Sequence, residues 1–101
     1  MKKYPVGPGW WPLLNILEQE IKQDCLLHNA ETPSVTQIKE KFGGLRYYYY
    51  GGTKDTGVMV AFAEALSNHI CEECGTMKDV SQNDKGWIRT LCKKCRGKRE
   101  K

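Results

Sequence analysis

The sequence has no apolar run approaching the length of a bilayer span. It also lacks a charged start leading into an apolar stretch of the secretory kind. Its two opening lysines run into Tyr4, Pro5 and Gly7, which cannot form a signal helix, so an intracellular protein without a membrane partner is expected. Catalytic motifs are absent too. There is no phosphate-cradling G-x-x-x-x-G-K-S/T and no Ser/His/Asp or Cys/His set at a recognisable spacing. The H-x-E that a zinc deaminase needs beside its cysteines is missing as well. These gaps point away from an enzyme. No internal repeat is apparent. Apolar residues make up only 40% of 101 positions, so a single core of this size is marginal and calls for a staple. Acid is scarce at one end. Residues 1–84 hold eight Lys/Arg against eleven Asp/Glu (−3) and residues 85–101 hold eight against one (+7), which together give the net +4.

What the chain does have is cysteine in pairs. Cys71-Glu-Glu-Cys74 and Cys92-Lys-Lys-Cys95 are two C-x-x-C units separated by seventeen residues, an interval suited to a four-thiolate zinc site. Two residues between thiols let a tight turn aim both sulfurs at one metal, and four sulfurs close a tetrahedron. Gly75 follows the first pair, where a knuckle turn needs a positive φ. A closed set leaves no position for water, so one structural Zn2+ is expected and not a catalytic one. A reducing compartment favours metal-bound thiolates over disulfides. The fifth cysteine, Cys25, falls on an apolar helical stripe and reads as buried and inert.

Periodicity divides the remainder into an α+β arrangement of helix, β-hairpin, helix and zinc module. Residues 1–70 form the body, and residues 71–101 form the module with its basic tail. Pro12 suits the first turn of a helix running from Leu13 to about Leu27, with Leu14, Leu17, Ile21 and Cys25 as its stripe and Leu13 and Ile16 widening it. At least one of Trp10 and Trp11 is expected to fold back onto that helix. Ser34 to Phe42 and Leu45 to Tyr50 read as strands around a Gly43-Gly44 turn. That register pairs Phe42 with Leu45, Glu40 with Tyr47 and Ile38 with Tyr49 on the core face, and leaves Lys39, Lys41, Arg46, Tyr48 and Tyr50 outside. A second helix is expected over Thr56 to Ile70, capped by Asp55 or Thr56, with Val58, Met59, Phe62, Leu66 and Ile70 buried. Between the cysteine pairs, Met77 to Val80 and Trp87 to Leu91 read as short strands around Ser81 to Gly86. A helix over the second pair would make a treble clef, and two knuckles on two hairpins would make a zinc ribbon; both stay open.

The string Ile38-Lys-Glu-Lys-Phe-Gly-Gly-Leu-Arg-Tyr47 is followed by Ala63-Glu64, Ser67, Cys71-Glu-x-Cys74-Gly75 and Gly86-Trp87-Ile-x-Thr-Leu-Cys92. Together with Gly9-Trp10 and Leu13-Leu14, these residues resemble a group of small zinc-binding proteins encoded by bacteriophages and prophages. The resemblance implies a mobile-element origin, a bacterial cytoplasmic setting and a zinc module, and it carries no activity. In that group a histidine often stands where this chain has Cys95.

The cationic tail is the main functional signal. Lys93, Lys94, Arg96, Lys98, Arg99 and Lys101 suit contact with the phosphate backbone of DNA or RNA. Lys39, Lys41 and Arg46 would extend that surface, with Tyr48 and Tyr50 as stacking planes. The competing partner is a bacterial host protein such as a polymerase, nuclease or defence complex, gripped through Trp10, Trp11 and Tyr47 to Tyr50. His69 and His28 are candidate alternate ligands or bases, although a histidine ending a helix more commonly meets the terminal carbonyls.

Overall fold

A computed structural model describes residues 2–99, the last of them by its backbone alone. Met1, Glu100, Lys101 and the side chain of Arg99 lie outside the described residues. A 3₁₀ turn, Pro8–Trp10, leads into α1 (Trp11–Leu27). There follow β1 (Ser34–Lys41), β2 (Gly44–Tyr50) and α2 (Thr56–Ser67), then β3 (Val80–Gln82), β4 (Thr90–Cys92) and α3 (Lys93–Arg99). The strands form two separate antiparallel pairs, β1 with β2 and β3 with β4. This is the α+β arrangement that the periodicity predicts.

Helix α1 buries Leu14, Leu17, Ile21 and Cys25, as their spacing requires. Ile16 instead lies on the exposed side. Trp10 is fully buried and its indole N–H donates to the Ile70 carbonyl at 2.9 Å, while half-buried Trp11 donates to the Val6 carbonyl at 3.0 Å. Trp10 thus belongs to the core, and its hydrogen bond links the start of the chain to the end of the α2 segment.

The hairpin departs from expectation at its turn. Lys41 pairs with Gly44, Glu40 with Leu45, Lys39 with Arg46 and Ile38 with Tyr47, so the two turn residues are Phe42 and Gly43. Both have positive φ, +53° and +78°, as a type I′ turn demands. Two contacts fix this register. The Glu40 carboxylate accepts the Gly43 N–H at 2.8 Å. Gly44 lies so close to α2's end that a Cβ there would stand 3.0 Å from Asn68 Oδ1. The slip preserves the faces: Leu45 and Tyr47 are buried and Tyr48 and Tyr50 are exposed. Phe42, however, leaves the core face for the tip of the turn.

Helix α2 is shorter than expected and turned about its axis. It buries Thr56, Val60, Ala63 and Ser67, leaving Val58 and Phe62 exposed. Asp55 takes the N-cap position without a side-chain bond. Polar contacts determine the rotation. Ser67 Oγ accepts the Leu45 N–H at 2.9 Å, and a Glu64 carboxylate oxygen accepts the Tyr47 N–H at 2.8 Å. The free edge of β2 is therefore covered by side chains of α2, which satisfies backbone donors that would otherwise template further strands.

Glu18 on α1 accepts hydrogen bonds from the Tyr4 and Tyr47 hydroxyls at 2.8 and 2.9 Å. Burial, and then this shared carboxylate, push both phenols well above their ordinary value near 10. Because the folded pKa exceeds the unfolded one, their contribution to stability is complete below about pH 10 and is lost as pH rises through the folded values. Alkaline unfolding followed by circular dichroism should show this fall. Tyr47→Phe should make the fall shallower; an unchanged slope would sink the assignment.

Candidate metal centre

The first cysteine pair sits on a knuckle closed by two backbone bonds, Cys71 N–H to the Thr76 carbonyl at 2.8 Å and Gly75 N–H to the Cys71 carbonyl at 2.9 Å. Gly75 has φ +85°, a conformation that glycine adopts without penalty. The second pair is delivered by two elements: Cys92 ends β4 and Cys95 lies in the first turn of α3. Knuckle, hairpin and then helix is the order of a treble clef, not of a ribbon. The strands lie closer to Cys92 than the sequence suggests. Ser81 and Gln82 are in β3, and Trp87 falls in the connecting loop.

The four sulfurs all lie within 4.8 Å of one another, and Cys74 Sγ stands 3.8 Å from Cys92 Sγ. None of the cysteines is in a disulfide. A tetrahedron with metal–sulfur bonds of about 2.3 Å has edges of about 3.8 Å, so the cluster fits one metal ion. Its titration has the character of an anion-crowded site. At Cys71 burial raises the pKa, but backbone N–H groups of Cys74, Cys92 and Glu73 outweigh it and bring the thiol down to about 7. Cys95 is pushed up to about 12, first by its hydrogen bond with Cys92 and then by desolvation. The Cys71 thiolate forms readily while Cys74 and Cys95 are pushed up, until a cation in their midst reverses the sign of the interaction.

Carboxylates brace the knuckle from behind. Glu72 is buried, forms an ion pair with Arg89, and accepts the Thr90 N–H at 3.0 Å. Arg89 reaches Glu73 as well, at 3.4 Å. The two acids of the Cys-Glu-Glu-Cys string thus hold the knuckle to β4 through Arg89 and Thr90. The sequence carried no signal of this beyond their place between the thiols. The start of the chain clasps the knuckle from the other side: Gly9 N–H donates to the Glu72 carbonyl at 2.9 Å. The hairpin tip meets the module too, where Thr90 Oγ1 and the Gln82 amide both reach the Gly43 carbonyl.

The remaining candidates scatter. His69 is exposed and stands outside the sulfur cluster. His28 Nδ1 lies 2.9 Å from the Asp24 carbonyl, the helix-end role expected of it. Lys93, Lys94 and Lys98 are exposed on α3. Arg96 turns inward, donating to the Ser81 carbonyl at 2.7 Å and the Arg89 carbonyl at 3.4 Å, so it holds α3 on the hairpin. Arg99's side chain lies outside the described residues. On the β1–β2 hairpin, Tyr48, Tyr50 and Lys41 are exposed, Lys39 is half-buried with its amine over the Tyr48 ring, and Arg46 donates to the Leu45 carbonyl. No helix among the described residues is long and apolar enough to cross a membrane.

No family model matches the chain, and neither a curated protein nor a solved structure matches it.

Proposed function

We propose that the chain is a zinc-stabilised, non-enzymatic binding protein of phage or prophage origin. On this reading it works in the bacterial cytoplasm and contacts nucleic acid through its basic C-terminal segment. The observation that carries this is the closed set of four sulfurs with α3 attached to it. Tetrahedral sulfur sites suit zinc or iron, and paired C-x-x-C units at this interval favour zinc. Four thiolates leave no position at which a metal would activate water, so the metal's role is to hold a surface in place. That surface is cationic. Among the described residues no ion pair engages Lys93, Lys94 or Lys98, so their charges remain available to phosphates.

Titration of the zinc-loaded protein with single-stranded and duplex oligonucleotides across salt tests the reading. Three phosphate contacts to a single strand predict a log–log salt slope of about −2. Lys94→Ala should weaken binding evenly across sequences and make the slope shallower by about one contact. Absence of binding at low salt, or affinity indifferent to salt, would overturn it.

A second reading, a binder of a bacterial host protein, is favoured by the outer face of α2. Gly57, Val58, Ala61, Phe62 and Ala65 are all exposed there without an intervening charge, and a contiguous apolar patch on a surface marks a site of interaction. Stoichiometric retention of one host protein after nuclease treatment, lost in Phe62→Glu, would favour this reading over the first.

A further inference from the structure

The hairpin tip and the loop joining β3 to β4 together form a groove of about 270 Å³, lined by Glu40, Lys41, Phe42, Gly86, Trp87 and Ile88. Two large aromatic side chains rim it, and neither serves the core: Phe42 is 68% exposed and Trp87 76%. Phe42 is also in the wrong place for its chemistry. It occupies the first position of a type I′ turn at φ +53°, where asparagine or glycine fits without strain. A bulky, largely exposed residue held in a strained turn position is a candidate for contact in a complex.

Both aromatics are presented on rigid backbone. Asn83 ties the loop together, its amide donating to the Lys85 and Trp87 carbonyls at 2.6 and 2.9 Å and its oxygen accepting the Arg89 N–H at 2.7 Å. The turn is fixed through Gly43, where a Cβ would stand 3.0 Å from the Ile88 side chain and 3.1 Å from Thr90 Oγ1. Such preorganisation lowers the entropy lost on binding.

We infer that Phe42 and Trp87 form a stacking clamp for an unpaired base of a single-stranded nucleic acid. This rests on the proposed function and names the form of nucleic acid and the site that grips it. A groove of about 270 Å³ rimmed by two aromatic side chains has room for a planar ring system between them. The carboxylate in its lining, that of Glu40, is already bonded to the turn N–H, so the groove offers stacking surface and little directional readout. That is the chemistry of sequence-tolerant single-strand binding. The charge at the groove itself is balanced, Lys41 and Lys85 against Glu40 and Asp84, so phosphate contact falls to the lysines of α3. The amine of Lys41 lies 5.7 Å from the Phe42 ring centre. Lys85 precedes the lining residue Gly86 in the loop, with Asp84 beside it as the one carboxylate of that loop. The +7 segment begins at this rim, and Arg96 ties α3 to the same β3–β4 hairpin. A strand stacked in the groove and the lysines of α3 thus share one rigid support.

The test uses the zinc-loaded full chain, a single-stranded oligothymidylate and a duplex of equal length, with tryptophan emission as the readout. Trp10 is buried and Trp11 half-buried, so the part of the response lost in Trp87→Ala is that of Trp87. Single strands should quench emission and bind more tightly than duplex. Phe42→Asn should weaken single-strand binding about tenfold while its melting temperature stays level or rises, because asparagine relieves the turn. Trp87→Ala should give a similar loss of affinity. Salt-dependent binding that is equal in all three proteins would overturn the clamp and leave the cationic surface standing. Absence of binding to either oligonucleotide would overturn both. A host protein whose capture depends on Phe42 and Trp87 in nuclease-treated lysate, with no quenching by oligothymidylate, would assign the groove to a protein and also overturn the clamp.

Discussion

Stripping the metal with a strong chelator, or replacing Cys74 with serine, should melt more of the protein than the segment that carries the cysteines. Structural zinc contributes on the order of 10 kcal/mol of binding free energy coupled to folding. A domain of this size has roughly 5–15 kcal/mol of total stability, so loss of the metal removes most or all of it. The damage should spread along identifiable bonds. The knuckle carbonyl of Glu72 accepts from Gly9, the Ile70 carbonyl accepts from the Trp10 indole, and the Gly43 carbonyl is met by Thr90 and Gln82. Loss of the knuckle therefore frees both the strap before α1 and the hairpin tip. The expected result is a large fall in melting temperature together with a red shift of Trp10 emission as its pocket floods. A melting curve unchanged in the metal-free protein would refute a structural metal. A fall in melting without the Trp10 shift would show that the strap is independent of the module.

The second large effect is expected from adding one methyl group. A Cβ at Gly9 would lie 2.0 Å from the Cys71 carbonyl oxygen and 2.6 Å from the Gly75 nitrogen, both backbone atoms of the knuckle. Neither can yield as a flexible side chain would. Gly9→Ala must push the strap away from the metal site, lose the bond from Gly9 N–H to the Glu72 carbonyl, and drag Trp10 from its pocket. A loss of about 4 kcal/mol is expected, in the range reserved for mutations that break a packed backbone contact. Gly97→Ala is the matched comparison. Gly97 lies in α3 with nothing within 4 Å of its added Cβ, so alanine there should stabilise the helix by about 1 kcal/mol. Denaturant melts of the two variants should move in opposite directions. A small effect at Gly9 would mean that the strap does not seat on the knuckle in solution.

The contrast between those glycines shows where reading residues in order stops being enough. Both sit in unremarkable local sequence, and only the chain folded over Gly9 makes it irreplaceable. Helix α1 needed no such help, because Leu14, Leu17, Ile21 and Cys25 define one face and Glu18, Gln19, Lys22 and Gln23 define another. In α2 the periodicity was ambiguous. With Val58, Met59, Val60, Phe62 and three alanines in twelve residues, several stripes fit equally well. The face was chosen by Ser67 and Glu64, whose oxygens had to reach the open N–H groups of β2. The hairpin is an intermediate case. Alternation determined which residues share a face, since a shift of two preserves parity. Two adjacent glycines left the turn free to move by one residue, and contacts to Asn68, Thr90 and Ile88 decided it. That small shift carried Phe42 from the expected core face to an exposed rim.

Spacing and composition dictate the chemistry: which sulfurs gather, that they close on themselves, which segment is cationic and which helix has a core face. Those properties depend on spacing and composition, and they survive any arrangement of the rest. Long-range packing sets how the sulfur knuckle joins the body, which face of α2 stays exposed, and that Phe42 and Trp87 line one groove. Those depend on bonds between residues tens of positions apart, such as Trp10 with Ile70 and Gly43 with Thr90, which no local pattern encodes.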